Sequence, residues 1–324
     1  MILASYVANK LGITRSVIDH LRQVEAMKRN SNTNLLQALL LMLTAIAAFT
    51  SMAISGRYAS VDLDTFEIML YRSLIGFLFV LSYAKATSQF KTISHHNIKL
   101  HVLRNVFHFT AQNLWFFAIT VIPLVQVFAL EFTVPIWILL LSPLFLGEHF
   151  TKSRALAAVL GFIGILIITR PAPDTLNIGI IAAALAAVGF AGSIMTTKKL
   201  TQTVDTLTIL FFMTLIQLIF GLICAGIDGD INFISTKNLP WVFAIAIAGL
   251  LAHLCLIRAL TLAPATIVAP IDFLRLPVIA IVGFYIFGET VDEYLAYGVI
   301  LIFIGNYANI IAEKRKYARE AKLF

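Results

Sequence analysis

A chain of 324 residues with 60% apolar and only 13% charged side chains holds about half the charge expected of a soluble domain. Its mean hydropathy is +0.90, so it lacks the polar groups to cover a soluble globule and reads as an all-α membrane protein whose helices satisfy their own backbone in lipid. The net charge of +7 comes from basic residues dispersed among short loops, which argues against a nucleic-acid footprint and for membrane orientation.

Residues 1–34 stand apart as a cytoplasmic N-terminal extension. Val17, Leu21 and Val24 share one helical face there, which fits an interfacial helix or a solvated extension, and no signal-peptide cleavage pattern is present. Nearly continuous apolar runs then predict ten transmembrane helices at 35–57, 65–84, 100–120, 124–146, 153–169, 176–197, 206–227, 240–260, 264–287 and 294–311. Each suits a hydrocarbon core of about 30 Å. Residues 312–324 form a basic cytoplasmic tail. Cys224 and Cys255 lie inside apolar runs and read as small buried hydrophobes.

With both termini cytoplasmic, the cytoplasmic segments hold 18 of the 24 Lys and Arg, while Arg57, Arg170 and Lys237 sit on the other side beside Asp62, Asp64, Asp174, Asp228, Asp230, Glu289, Asp292 and Glu293. That is the positive-inside asymmetry of an inner (cytoplasmic) membrane protein of a bacterium. Laying the chain on itself at an offset of 141 residues matches Thr120 with Thr261, Pro123 with Pro264, Phe132 with Phe273, Gly147-Glu148 with Gly288-Glu289, and Phe49 with Phe190. The spans thus divide into five-helix repeats at 35–170 and 176–311. An odd number of helices inverts the second repeat, the arrangement of secondary carriers with a midplane site.

The repeating residues also carry a family resemblance. Ala129-Leu130-Glu131-Phe132-Thr133-Val134-Pro135, running on to Leu146-Gly147-Glu148, Gly161 and Gly164, is similar to the end of an EamA domain. So is Ala263-Pro264-Ala265-Thr266 through Phe287-Gly288-Glu289 to Gly305, and Arg72-Ser73 matches that family's early arginine. The chain resembles the drug/metabolite transporter superfamily over 35–311, which implies carriage of a small metabolite. The run from Arg104 to Asn113 resembles bacterial members associated with riboflavin or S-adenosylmethionine transport.

Ionisable groups at membrane depth face a cavity or a partner. Glu131 and Asp272 are repeat equivalents on the fourth and ninth helices, and Arg275 lies three residues after Asp272, on the same face. Gln112 and His253 are a second equivalent pair, with Asn113 and Trp115 beside Gln112. These seven residues are the candidate substrate-binding lining, although Asp272 and Arg275 also fit a purely structural pair, and Trp115 fits either stacking on a planar ligand or ordinary packing. Glu131 has no base one turn away on its own helix, which makes Glu131 with Asp272 the candidate proton-coupling pair.

Other features read more plainly. Arg72 can pair with Glu67 or snorkel, and Arg104 and Arg258 sit near cytoplasmic helix ends, where snorkelling is cheap. His95, His96 and His101 fall in or beside a Lys-rich loop and read as solvated, so no metal is expected, and no phosphate-binding loop or cofactor motif occurs. Pro135, Pro270 and Pro277 bend their helices or free a carbonyl. Ser153, Ala157 and Gly161 form a small-residue stripe that serves tight packing or a homodimer contact. The expected partners are a small-molecule substrate and the lipid bilayer, with no nucleic acid. A secondary carrier of a zwitterionic or heteroaromatic metabolite is the leading reading. An integral-membrane enzyme using His108, His253 and Glu131, or a channel, are the alternatives.

Overall fold

The structure, a computed structural model, describes residues 15–146, 152–170, 177–227, 229, 231–262, 271–272, 274–290 and 292–320. Among them the chain forms α-helices and one short 3-10 turn (Phe90–Thr92), with no strand. The helices are α1 (Arg15–Ala59), α2 (Thr65–Ala86), α3 (Ile98–Val121), α4 (Leu124–Glu131), α5 (Val134–Leu146), α6 (Lys152–Thr169), α7 (Ile178–Leu200), α8 (Thr206–Ala225), α9 (Leu239–Leu262), α10 (Arg275–Phe287) and α11 (Glu293–Glu320).

Local chemistry sets several starts. Asp64 Oδ1 accepts from Glu67 N at 2.7 Å while Glu67 Oε2 accepts from Asp64 N at 2.9 Å, a capping box that opens α2. At the repeat-equivalent position, Asp205 Oδ1 accepts from Thr208 N at 2.6 Å and opens α8. Asn177 does the same for α7 through Gly179 N, at 2.8 Å.

Three boundaries differ from the sequence expectation. α1 runs unbroken from Arg15, so part of the presumed extension continues the first helix, and α11 continues through the start of the basic tail to Glu320. The helix expected over 124–146 is broken after Glu131. Pro135 has no N–H to return to the Glu131 carbonyl and its ring disfavours close approach of that oxygen, which makes this the weak point at which the helix breaks. The chain crosses the break on Thr133, whose N and Oγ1 both donate to Leu130 O, at 3.0 and 2.6 Å. The Phe132 carbonyl accepts instead from Asn306 Nδ2 of α11, at 3.1 Å. Pro277 sits in the first turn of α10, where its missing N–H costs nothing, whereas Pro270 and most of the start of the expected ninth helix lie outside the described residues.

The helices pack in four extensive pairs: α1 along α9, α3 along α7, α2 along α8 and α6 along α11. α6 and α11 come close because Gly164 and Gly298 face each other, and a Cβ on Gly298 would lie 2.6 Å from Gly164 O. Gly161 of the small-residue stripe packs on Ile136 of α5, which places it in an internal contact. The side chains of Ser153 and Ala157 lie outside the described residues.

By length and composition, five described helical stretches can cross a bilayer: Leu36–Ala59, Thr65–Ala86, Ile178–Leu200, Thr206–Ala225 and Leu239–Leu256. Shorter apolar stretches lie at Leu124–Ile138, which spans the break between α4 and α5, and at Ala158–Ile168, Arg275–Phe287 and Glu293–Ala308. Large apolar side chains such as Leu78, Phe79, Leu185, Ile219 and Leu222 point outward, while Arg72, Arg104, Asn105, Gln112, Gln217 and Arg275 are buried. Apolar outside and polar within is the distribution that a lipid solvent selects.

Candidate functional site

The break in α4–α5 ends α4 on Glu131, and the start of α10 carries Arg275. α4 and α10 are in contact, and the two side chains meet there. Arg275 Nη2 lies 3.1 Å from Glu131 Oε1 and 3.0 Å from Asp272 Oδ2, so a single nitrogen bridges the two repeat-equivalent acids. Trp115 Nε1 donates to the other Glu131 oxygen at 2.9 Å. The Arg275 guanidinium is also enclosed by aromatic faces, with its carbon 4.8, 5.1 and 5.2 Å from the ring centres of Phe49, Phe128 and Phe132. Desolvated cation–π contacts of this kind are worth up to about 2 kcal/mol each. With both acids ionised the trio carries one formal negative charge, around a buried guanidinium and two part-buried carboxylates.

Next to this cluster lie two imidazoles. Phe49, one wall of the Arg275 cage, meets His253 edge-on at 5.6 Å, and His253 in turn meets His108 at 5.5 Å. His108 contacts Phe190, the repeat equivalent of Phe49, at 5.9 Å, and Ser193 Oγ lies 3.4 Å from its Nδ1. Buried hydrogen-bonding capacity remains unused here: His108 Nε2, Asn113 Oδ1 and Arg275 Nε have no partner.

Of the seven residues singled out from sequence, four are therefore joined directly: Trp115, Glu131, Asp272 and Arg275. His253 joins them through Phe49. Asn113 is buried and donates to Phe109 O of its own helix at 2.8 Å, and Gln112 is buried on the same helix without a described bond to the others. Trp115 is packed edge-on against Phe116 and Phe128, and its N–H is spent on Glu131, so packing and positioning describe it better than an open stacking face.

The structure corrects several other expectations. Arg104 does not snorkel. It is buried and donates to Thr197 Oγ1 and Asn105 Oδ1, both at 3.2 Å, whereas Arg258 is exposed. Arg72 does not pair with Glu67, whose two oxygens accept from Asp64 N and Asn232 N. His101 is not solvated but fully buried on α3 against Phe212. Both cysteines are free, and no cluster of three metal-type ligands occurs among the described residues.

Sequence reading missed a second constellation, at the α4 N-terminus. Glu289 bonds Arg57 and accepts from Leu124 N at 2.9 Å, while Arg57 donates to Ile119 O at 2.6 Å and to Ile122 O at 2.7 Å. Four helix ends are tied together there. The Gly147-Glu148 and Gly288-Glu289 repeat was the available signal, but only as a sign of duplication.

The model of the EamA-like transporter family matches this chain twice, over residues 36–170 and 177–311. The chain belongs to the EamA-like transporter family. As an EamA-like transporter it is a transporter rather than an enzyme, which removes the buried His/Glu active site from consideration. It is 24% identical over 285 residues to an S-adenosylmethionine uptake transporter of Rickettsia bellii, covering 86% of this chain and 94% of that one. A riboflavin transporter of Vibrio cholerae is 28% identical over 294 residues, covering 89% and 97%. A riboflavin transporter of Brucella anthropi is 32% identical over 192 residues, covering 58% and 68%. A solved crystal structure has the same fold at a TM-score of 0.60 and 16% identity, over 86% of this chain and 98% of that one.

Proposed function

We propose that the protein is a secondary carrier that moves a zwitterionic or heteroaromatic metabolite across a bacterial inner membrane by alternating access, with both termini cytoplasmic. The observation that carries this reading is the single guanidinium of Arg275 shared by Glu131 and Asp272, two acids related by the internal repeat, at the contact between the broken fourth helix and α10. Buried charges at membrane depth with hydrogen-bonding capacity left over are the ordinary mark of a transport pathway.

The helix pairing supports two inverted five-helix halves at 35–170 and 176–311. Shifting by 141 residues exchanges α1 with α7, α3 with α9, α2 with α8 and α6 with α11. Under that exchange the α1–α9 pair becomes α7–α3, and the α2–α8 and α6–α11 pairs map onto themselves, as a pseudo-twofold axis requires. Ten spans then follow, with α4 and α5 together making the fourth and α10 ending the ninth.

In this carrier the Glu131–Asp272–Arg275 trio receives the cationic or hydrogen-bond-donating part of the substrate, with His253, Gln112 and Asn113 adding polar contacts. The trio has room for one proton. A proton and a cationic substrate compete for the same net negative charge, which is the elementary requirement for exchange of one against the other. S-adenosylmethionine, with its sulfonium and amine, and riboflavin, with its flat heterocycle, are the two classes named for the relatives and are the first to test. In proteoliposomes, saturable uptake of labelled S-adenosylmethionine or riboflavin, accelerated by unlabelled substrate inside, supports the carrier. Non-saturable flux without counterflow would point to a channel.

A further inference from the structure

Two of the most deeply buried charges have no part in the carboxylate site. Arg72 on α2 and Arg104 on α3 are 6% and 5% exposed. Neither has a carboxylate within ion-pair distance among the described residues. Among the described residues Arg72 donates only to Met69 Sδ, at 3.4 Å, and its guanidinium lies against α9 at Gly249, where an added Cβ would stand 3.2 Å from its Nε. Arg104 is met by neutral oxygens, those of Thr197 and Asn105.

Arginine stays protonated even in apolar surroundings, so this burial cannot be relieved by losing the proton. A buried charge without a counter-ion is strongly unfavourable. The C-terminal end of α7, beside Thr197, offers about half an elementary negative charge. That leaves most of two positive charges uncompensated.

Between the arginines the donors converge. Asn105 Oδ1 accepts from both Arg104 Nη1 and Gln217 Nε2, the latter at 3.1 Å. Gln217 in turn lines, with Arg72, Ser73 and Thr214, a narrow cleft between α2, α8 and α9. Gly249, under Arg72, is one helical turn from His253. One face of α9 thus passes from Arg72 to His253 beside the Arg275 cage.

We propose that Arg72 and Arg104, with Gln217 between them, form an anion-receiving pole of the transport site. It takes the carboxylate of the substrate while the Glu131–Asp272–Arg275 trio takes the opposite end. The inference rests on the carrier reading and assigns its substrate a separated negative and positive group. The histidines between the poles accommodate the neutral body of the molecule.

The first test uses the purified full-length protein and no transport. Thermal unfolding is followed in acetate, in inorganic phosphate and in chloride at equal ionic strength. Acetate should raise the midpoint above chloride in the wild type, by mass action on the folded state. The increment should vanish in Arg72→Gln and in Arg104→Gln and persist in part in Arg72→Lys. Where a glutamine variant does not fold, Arg72→Lys and Gln217→Leu carry the comparison, each with a reduced increment. An acetate increment that is absent in the wild type, or unchanged in the variants, overturns the proposal. A larger increment with phosphate than with acetate overturns the carboxylate assignment in favour of a phosphorylated substrate.

The second test compares S-adenosylmethionine with its decarboxylated analogue in proteoliposomes. The wild type should prefer the carboxylated compound by about tenfold or more in KM, the worth of a charged hydrogen-bonded contact, and Arg72→Gln should erase that preference. Equal uptake of both compounds by the wild type overturns the pole. Transport of neither, with the acetate increment intact, overturns the S-adenosylmethionine reading alone.

Discussion

Replacing Arg275 by alanine removes the one buried cation that two part-buried acids share. Glu131 and Asp272 lie 3.1 and 3.0 Å from the same nitrogen, and three phenyl rings enclose it. Taking one partner out of a buried ion pair costs about 3–5 kcal/mol, because the remaining charge stays desolvated and uncompensated. Arg275→Ala should therefore destabilise the purified protein by about that amount. Most of the loss comes from the abandoned carboxylates rather than from the missing contacts, so a second change should recover part of it. Glu131→Gln keeps the size of the side chain and an oxygen for the Trp115 N–H, and it removes one of the two stranded charges. In the double variant about 0.5–3 kcal/mol should return relative to the sum of the single effects, the range of coupling between residues in contact. Reversible unfolding in mixed micelles, followed by loss of helicity, measures all four corners of the cycle. Uptake should be absent in both Arg275 variants despite the difference in stability. A coupling energy of zero would refute the argument, since the cost of Arg275→Ala would then lie in packing.

If Glu131 is the acid of the trio that takes up the proton, Glu131→Gln, a mimic of the protonated acid, should lose the pH dependence of net transport and retain substrate exchange. Full pH-dependent net transport in that variant would make the acid structural. Reporter fusions after Lys91, after Lys199 and at the C-terminus should read as cytoplasmic, and fusions near Asp64, Asp174 and Asp230 as external. A cytoplasmic signal at Asp174 with an external one at Lys199 would end the inverted arrangement. Glu289→Ala should loosen the four helix ends it ties, so that Ile122→Cys, in a background without Cys224 and Cys255, reacts faster with an impermeant maleimide. Unchanged labelling would exclude Glu289 as a latch at that end.

The composition and the apolar runs determined the class of the protein, because a bilayer tolerates only backbone that bonds to itself and demands apolar faces of predictable length. The repeat was equally legible: duplication leaves equivalent residues at one offset, and the pair Glu131 and Asp272 pointed to the carboxylate site before any coordinates. The N-caps Asp64 and Asp205 and the break before Pro135 are likewise local chemistry, although the sequence suggested a bend or a freed carbonyl there and not the end of a helix. What sequence could not supply was direction. Arg104 sits near a helix end, where solvent is one option and the interior another, and only the packing of α3 on α7 and α8 turned it inward. Arg72 and Glu67 are near neighbours on one helix, yet the capping box and Asn232 claimed the carboxylate and left the guanidinium to the interior. The Arg275 cage joins α1, α4 and α10 through Phe49, Phe128 and Phe132, positions far apart in the chain. Helical periodicity gives the face on which a residue stands, and tertiary contact alone decides what that face meets.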